Sequence, residues 1–208
     1  MLKYLFYNLP YVWDALPFVL LSIPIIVLFR WLRIRSLRKR AIQTTAWHEV
    51  GIGLFLMSIV FFSSITFFPH IMLYYGPPFI SIQGYIGIVP ENINLIPFRV
   101  FQDFYHEVII DRKIDYLITN ILGNIVGFLS FGFFLPLLWE RMTFPKTILI
   151  AFVFSLFVEL NQLPLGRGTD IDDLWINTLG AVFGFLVFLL FQKCLPQFTK
   201  KFRIKTNQ

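Results

Sequence analysis

What most constrains this chain is a series of apolar stretches, each long enough to cross a bilayer, with nearly all of the strong charge confined to the segments between them. A spanning helix takes about 20 predominantly apolar residues to cross a hydrocarbon core roughly 30 Å thick. Five stretches qualify, at about 12–32, 47–68, 117–139, 147–164 and 173–191. Lipid offers no partner for a free backbone N–H or C=O, so spans of this kind must be helices. The expected fold class is an all-α polytopic membrane protein of about five transmembrane helices, forming a single membrane domain over 1–208 with no soluble domain left over. Composition agrees, since 57% of the residues are hydrophobic, 19% aromatic and only 14% charged, more apolar surface than one soluble core hides. The first stretch is too long for a signal peptide and lacks a small-residue cleavage site, so it reads as a retained span. Pro17 and Pro24 within it predict a bend.

Lysine and arginine set the orientation. Arg30, Arg33, Arg35, Arg38, Lys39 and Arg40 follow the first span, Arg141 and Lys146 follow the third, and Lys193, Lys200, Lys201, Arg203 and Lys205 follow the fifth. Five spans then place the N-terminus outside and the C-terminus in the cytoplasm, with 13 basic residues inside against Lys3, Arg99, Arg112, Lys113 and Arg167 outside. Asp14, Glu91, Asp103, Glu107, Asp111, Asp115, Asp170, Asp172 and Asp173 all fall on the outer side. The net charge of +6 therefore belongs to membrane edges, and with no recognition motif beside it no nucleic-acid partner is expected. Cys194 is the lone cysteine, which excludes an internal disulfide and a cysteine-based zinc or redox site.

The long outer connection, 69–116, is punctuated by Gly76, Pro77, Pro78, Gly84 and Gly87 yet stays apolar, so parts of it are expected to touch the membrane. Phe101, Phe104, Tyr105, Val108 and Ile109 follow helical spacing, with Gln102, Asp103, His106 and Glu107 opposite. This predicts an interfacial helix packed over the outer ends of the spans.

Polar residues inside the spans gather at one depth. Asn120 and Asn124 lie four apart in the third span, which predicts one shared inward face, with Gly123 and Gly127 beside them. Ser155, Glu159 and Gln162 share a face of the fourth, where Glu159 is an acid well within a span and calls for a partner; Arg167, just past the helix end, is the nearest cation. The turn from Gly166 to Asp173 offers Asp170 or Asp172 as the N-cap of the fifth span. Asp173 and Asn177 continue its face inward above Gly180 and Gly184, a close-approach surface through which a second copy could associate. Three carboxylates near Glu159 suit a hard cation such as Mg²⁺ or Ca²⁺, but no metal-motif spacing is matched, so no metal ligand and no cofactor is assigned. Helix welding by amides and glycines accounts for the same pattern without a ligand. The common depth points instead to an outward-facing polar cavity.

Taken together, Asn94-Leu95-Ile96-Pro97-Phe98, Asn120, Asn124, Phe131-Gly132, Leu135-Pro136, Ser155, Glu159, Gln162, Arg167, Asp170, Asp173, Asn177 and Gly180 resemble the VanZ-like family over about 50–190. The resemblance implies a bacterial cell-membrane protein of the envelope, associated with low-level resistance to the glycopeptide teicoplanin. Two functions follow as expectations. One is binding of a lipid, or of a lipoglycopeptide of the teicoplanin type, by Asn94, Arg99, Asn120, Asn124, Ser155, Glu159, Gln162, Arg167, Asp170, Asp173 and Asn177, with the arginines pairing phosphate. The other is an intramembrane enzyme acting on a lipid-linked envelope precursor, with Glu159 as acid or base. A transporter is disfavoured by the lack of an inverted repeat.

Overall fold

The computed structural model describes residues 10–39, 42–66, 70–73, 80–83 and 87–203; Lys3, Arg40, Gly76, Pro77, Pro78, Gly84 and Lys205 lie outside them. The protein is an all-α polytopic membrane fold, with five helices among the described residues long and apolar enough to cross a bilayer. Helix α1, Pro10–Lys39, runs uninterrupted through Pro17 and Pro24. At 30 residues it measures about 45 Å, which carries its basic last turns beyond a ~30 Å hydrocarbon core. Its buried Ser22 and Ile26 face the bundle, while Leu21, Ile25, Leu28 and Phe29 are left for lipid. Helix α2 spans Ala46–Thr66.

The connection that follows contains two short strands, β1 (His70–Leu73) and β2 (Ile80–Gln83), paired antiparallel with His70 opposite Gln83. The sequence pattern gave no strand here. An apolar segment outside a helix must still pair its backbone, and a hairpin does so locally. A two-residue strand β3 (Ile93–Asn94) later pairs parallel with β4 (Thr169–Asp170), stitching this connection to the turn before the last span.

Helix α3 begins at Arg99–Asp103 and continues as a π-helix over Phe104–Ile110. It is helical where an interfacial helix was expected, and it packs on the spans only in part: Val100 is buried and Phe101 stacks on Trp175 of the last span. Phe101, Tyr105 and Ile109 are each more than half exposed, the uncovered face that an interfacial helix turns to lipid. Exposed Lys113 closes the following turn, bonding Glu107 at 2.7 Å and Asp111 at 3.1 Å. The hydrogen bond to Glu107, then that to Asp111, holds its pKa above the ordinary lysine value.

Helix α4 (Ile114–Leu138) opens with a π stretch over Leu117–Leu122. Helix α5 is Phe144–Gln162, closed by a 3-10 turn at Leu163–Leu165, and α6 is Ile171–Cys194. Helix α7 (Pro196–Thr199) and a 3-10 turn at Lys200–Phe202 fold back beneath the bundle. Phenylalanine rings knit α2, α4 and α5: Phe62–Phe128, Phe55–Phe131 and Phe131–Phe154 have centroids 5.0, 5.3 and 4.7 Å apart, distances at which aromatic pairs attract.

The tightest seam is α4 on α6. A Cβ at Gly180 would collide with the Ile125 carbonyl, one at Gly184 with the Leu129 carbonyl, and one at Gly132 with the Ala181 carbonyl. The Gly180–Gly184 face, where a second copy was expected to associate, is thus packed against α4 within the chain. Small residues act here as expected in lipid, by letting two backbones approach.

Candidate functional site

At one end of the bundle the last turns of α2 and α5, the first turns of α4 and α6, and the loop 87–100 come together. The loop is fixed first. Asp172, 1% exposed, accepts the backbone N–H of Phe98 at 2.6 Å through one oxygen and that of Val100 at 2.8 Å through the other; the Trp175 indole donates to it at 2.9 Å. A carboxylate that receives three donors at the start of α3 both caps that helix and suits its dipole. It also holds Phe98 at φ 64°, left-handed backbone that an aromatic residue seldom adopts. Phe98, Phe101 and Trp175 form a ring cluster beside it, with centroids 6.4, 6.2 and 5.9 Å apart.

Asp170 is the N-cap of α6, accepting the Asp172 N–H at 2.8 Å, and the same oxygen receives the Asn94 amide at 2.9 Å. Asn94 in turn accepts from Ile96 N–H at 3.1 Å. Asn92 donates to the Gly166 carbonyl at 2.6 Å, and Gly87 N–H to the Pro164 carbonyl at 2.8 Å. The loop is therefore tied to both ends of the turn between α5 and α6.

The VanZ/LLP1 family matches residues 50–192, well over half of the chain. The chain belongs to the VanZ/LLP1 family. No curated protein and no solved structure matches it. The matched VanZ/LLP1 region starts within α2, so it excludes α1 and includes every residue at this polar end.

Within that region Glu159 is 5% exposed on α5, and its Oε2 accepts the Asp170 backbone N–H at 2.9 Å. Thr169 donates its hydroxyl to the Glu159 backbone carbonyl at 3.5 Å. Asn124 on α4 lies beside the Asp173 side chain and donates to the Asn120 carbonyl at 3.0 Å. One turn deeper, Asn177 donates to the Ser155 hydroxyl at 2.9 Å, and Ser155 donates to the Asp173 carbonyl at 3.5 Å. The polar faces of α4, α5 and α6 thus meet as helical spacing requires.

Two expectations are corrected, for Arg167 and for Asn120. Arg167 does not pair with Glu159: its Nη1 donates to the Ile65 and Thr66 carbonyls at 2.8 and 2.7 Å, and Gln162 adds a bond to Thr66 at 3.3 Å. The last carbonyls of a helix lack intrahelical donors and carry negative dipole, so a guanidinium settles there. Asn120 is exposed instead of sharing the inward face of Asn124, because the wider turn of the π stretch breaks the i, i+4 register. Arg99, half exposed, forms an i, i+4 pair with Asp103 at 3.5 Å.

Sequence reasoning missed Asp172 as the loop's anchor, together with Trp175. The signal present was the proximity of Asp172 to a helix start, which indicates a cap but not which helix it caps. The hard-cation alternative loses its third ligand for the same reason, since both Asp172 oxygens are committed. Among the described residues no group of three or more His, Cys, Asp or Glu is arranged to hold a metal ion.

Proposed function

We propose that this VanZ/LLP1 protein resides in the bacterial cell membrane with its N-terminus outside. There its polar end holds the headgroup of an amphiphile, a lipid or a lipoglycopeptide of the teicoplanin type, and so lowers glycopeptide susceptibility. The observation that carries this reading is Glu159, nearly buried on a membrane-spanning helix, whose carboxylate receives one backbone N–H. An acid at a span centre costs on the order of 2.5–3.5 kcal/mol, less near an end. One N–H leaves most of its roughly four acceptor sites open. Arg167 is engaged with the end of α2 and Arg99 pairs with Asp103, while the buried side-chain atoms left without a partner at this end, on Gln162 and Asn177, are acceptors. The enzyme alternative, with Glu159 as acid or base, draws on the same buried carboxylate and has no second observation of its own.

The test is direct binding of teicoplanin and a panel of envelope lipids to the purified full chain in nanodiscs, alongside teicoplanin susceptibility of cells expressing it. Glu159→Gln is expected to weaken binding about tenfold, the equivalent of ~1.4 kcal/mol. Unchanged binding in that variant, or no binding to any member of the panel, overturns the reading.

A further inference from the structure

We infer that the group received at the polar end is a primary ammonium carried by a membrane amphiphile, held between Glu159 and Asp173 and flanked by the side-chain carbonyls of Gln162 and Asn177. This rests on the headgroup-binding reading and names the chemistry it selects.

The first ground is charge. The charged groups near enough to act on Asp173 are Glu159, Asp170 and Asp172, and the one acting on Glu159 is Asp170; all are carboxylates. Ion pairs between described residues lie elsewhere, at Glu49, Asp103, Glu107, Asp111 and Glu140. Asp170 and Asp172 are satisfied by Asn94 and by backbone and indole N–H donors. Glu159, buried, and Asp173, half-buried, are left with one backbone N–H and the neighbouring Asn124 amide between them, poor compensation for two carboxylates so placed.

The second ground is independent of charge. Gln162 and Asn177 are 8% and 1% exposed; each has spent its nitrogen, on the Thr66 carbonyl and the Ser155 hydroxyl, and each leaves its side-chain oxygen buried with no partner. Gln162 lies one turn beyond Glu159 on α5, and Asn177 one turn below Asp173 on α6, so both unmet acceptors flank the carboxylates on their own helix faces. A buried acceptor without a donor is costly, and the buried side-chain atoms left without a partner at this end, Gln162 Oε1 and Asn177 Oδ1, are both acceptors.

The occupant must therefore donate and be positive. An ammonium brings three donors, no acceptor and one positive charge. A phosphate adds acceptors and negative charge, and a headgroup of hydroxyls alone leaves the carboxylates uncompensated. The neighbouring hydroxyl or amide donors of such a headgroup suit the Gln162 and Asn177 oxygens. The Phe98, Phe101 and Trp175 rings cluster beside Asp172, the residue before Asp173, and the carbons next to an ammonium pack well on aromatic faces.

The experiment uses the full chain in phosphatidylglycerol nanodiscs doped with either phosphatidylethanolamine or its N-acetylated derivative, with retained lipid read by native mass spectrometry and soluble ethanolamine added as a competitor. Phosphatidylethanolamine is expected to be retained at least about tenfold over the N-acetyl form. That preference should disappear in Glu159→Gln/Asp173→Asn and persist in Glu140→Gln at the opposite end. The unmodified chain with the acetylated probe decides the matter even if the double variant does not fold. Equal retention of the two lipids overturns the ammonium assignment, and if that retention still depends on Glu159 it leaves headgroup binding standing. Retention of no amphiphile overturns both. Ethanolamine binding as tightly as the lipid overturns the membrane source.

Discussion

At the scale of single residues, two acids of one turn-and-helix system do opposite work. Asp172 is saturated by Phe98, Val100 and Trp175 and holds the strained Phe98 backbone, so its role is structural. Asp172→Asn keeps the size, but its NH₂ must face one of those donors and leaves it unbonded. The expected loss is about 2–3 kcal/mol, seen as a lower melting midpoint in detergent. Glu159→Gln should behave differently, since a glutamine oxygen can still accept from Asp170 N–H while a buried charge is removed. Its melting midpoint is expected to be unchanged or higher even as ligand binding falls, the signature of a residue kept for function at the expense of stability. A fall as large as that of Asp172→Asn would assign Glu159 to the scaffold.

At the scale of elements, the α4–α6 seam depends on the missing side chains of Gly132, Gly180 and Gly184, and backbone cannot retreat as a flexible side chain can. Gly184→Val is expected to cost about 3 kcal/mol or more. Gly168→Ala, whose Cβ would meet nothing within 4 Å, is expected to be nearly neutral in the same melting assay. The C-terminal turn is a second fastening. Phe202 is 7% exposed against Gly51, and its carbonyl accepts from the Nδ1 of fully buried His48 at 2.5 Å. Arg33 donates to the other His48 nitrogen at 3.1 Å, which fixes a neutral imidazole with its proton on Nδ1, because an arginine cannot accept. The α3–α4 turn follows a different rule. Because the Lys113 pKa is shifted upward, any order it lends is complete below the ordinary lysine value and fades only as pH rises through the raised one. Protection of that turn from protease is therefore expected to be flat over about pH 6–9.

At the scale of the molecule, the two ends of the bundle are chemically opposed. One is rich in acceptors; the other joins Arg30, Arg33 and Thr44 to the buried carboxylate of Glu49, at 3.5, 2.5 and 2.7 Å. Glu49 precedes the apolar run of α2, so hydropathy alone did not mark it as buried. Glu49→Ala leaves two arginines without their counter-charge and is expected to cost about 3–5 kcal/mol, against less than about 1 kcal/mol for exposed Glu140→Ala. Cys194, exposed at the end of α6, is a native probe of the proposed orientation. A membrane-impermeant thiol reagent is expected to label it only after the inner face is exposed, whereas Gly168→Cys in a Cys194→Ser background should be labelled from outside; the reverse pattern would invert the topology.

What the sequence determined by itself is what depends on each residue's own transfer into hydrocarbon: five helices, their approximate ends, and a set of polar residues too expensive to lie at the bilayer centre and so collected near one end. Helical spacing then made the Ser155–Glu159–Gln162 and Asp173–Asn177 faces legible, because a regular helix repeats whatever surrounds it. The tertiary structure alone decided how each polar group was spent. Arg167 bonds carbonyls 102 and 101 positions away at the end of α2, Asp172 anchors a loop more than 70 positions earlier, and a π stretch turns Asn120 outward. Hydrogen bonding is a short-range, directional contest among groups that chain order keeps far apart, so the distinction between saturated Asp172 and under-satisfied Glu159 exists only once the helices are packed.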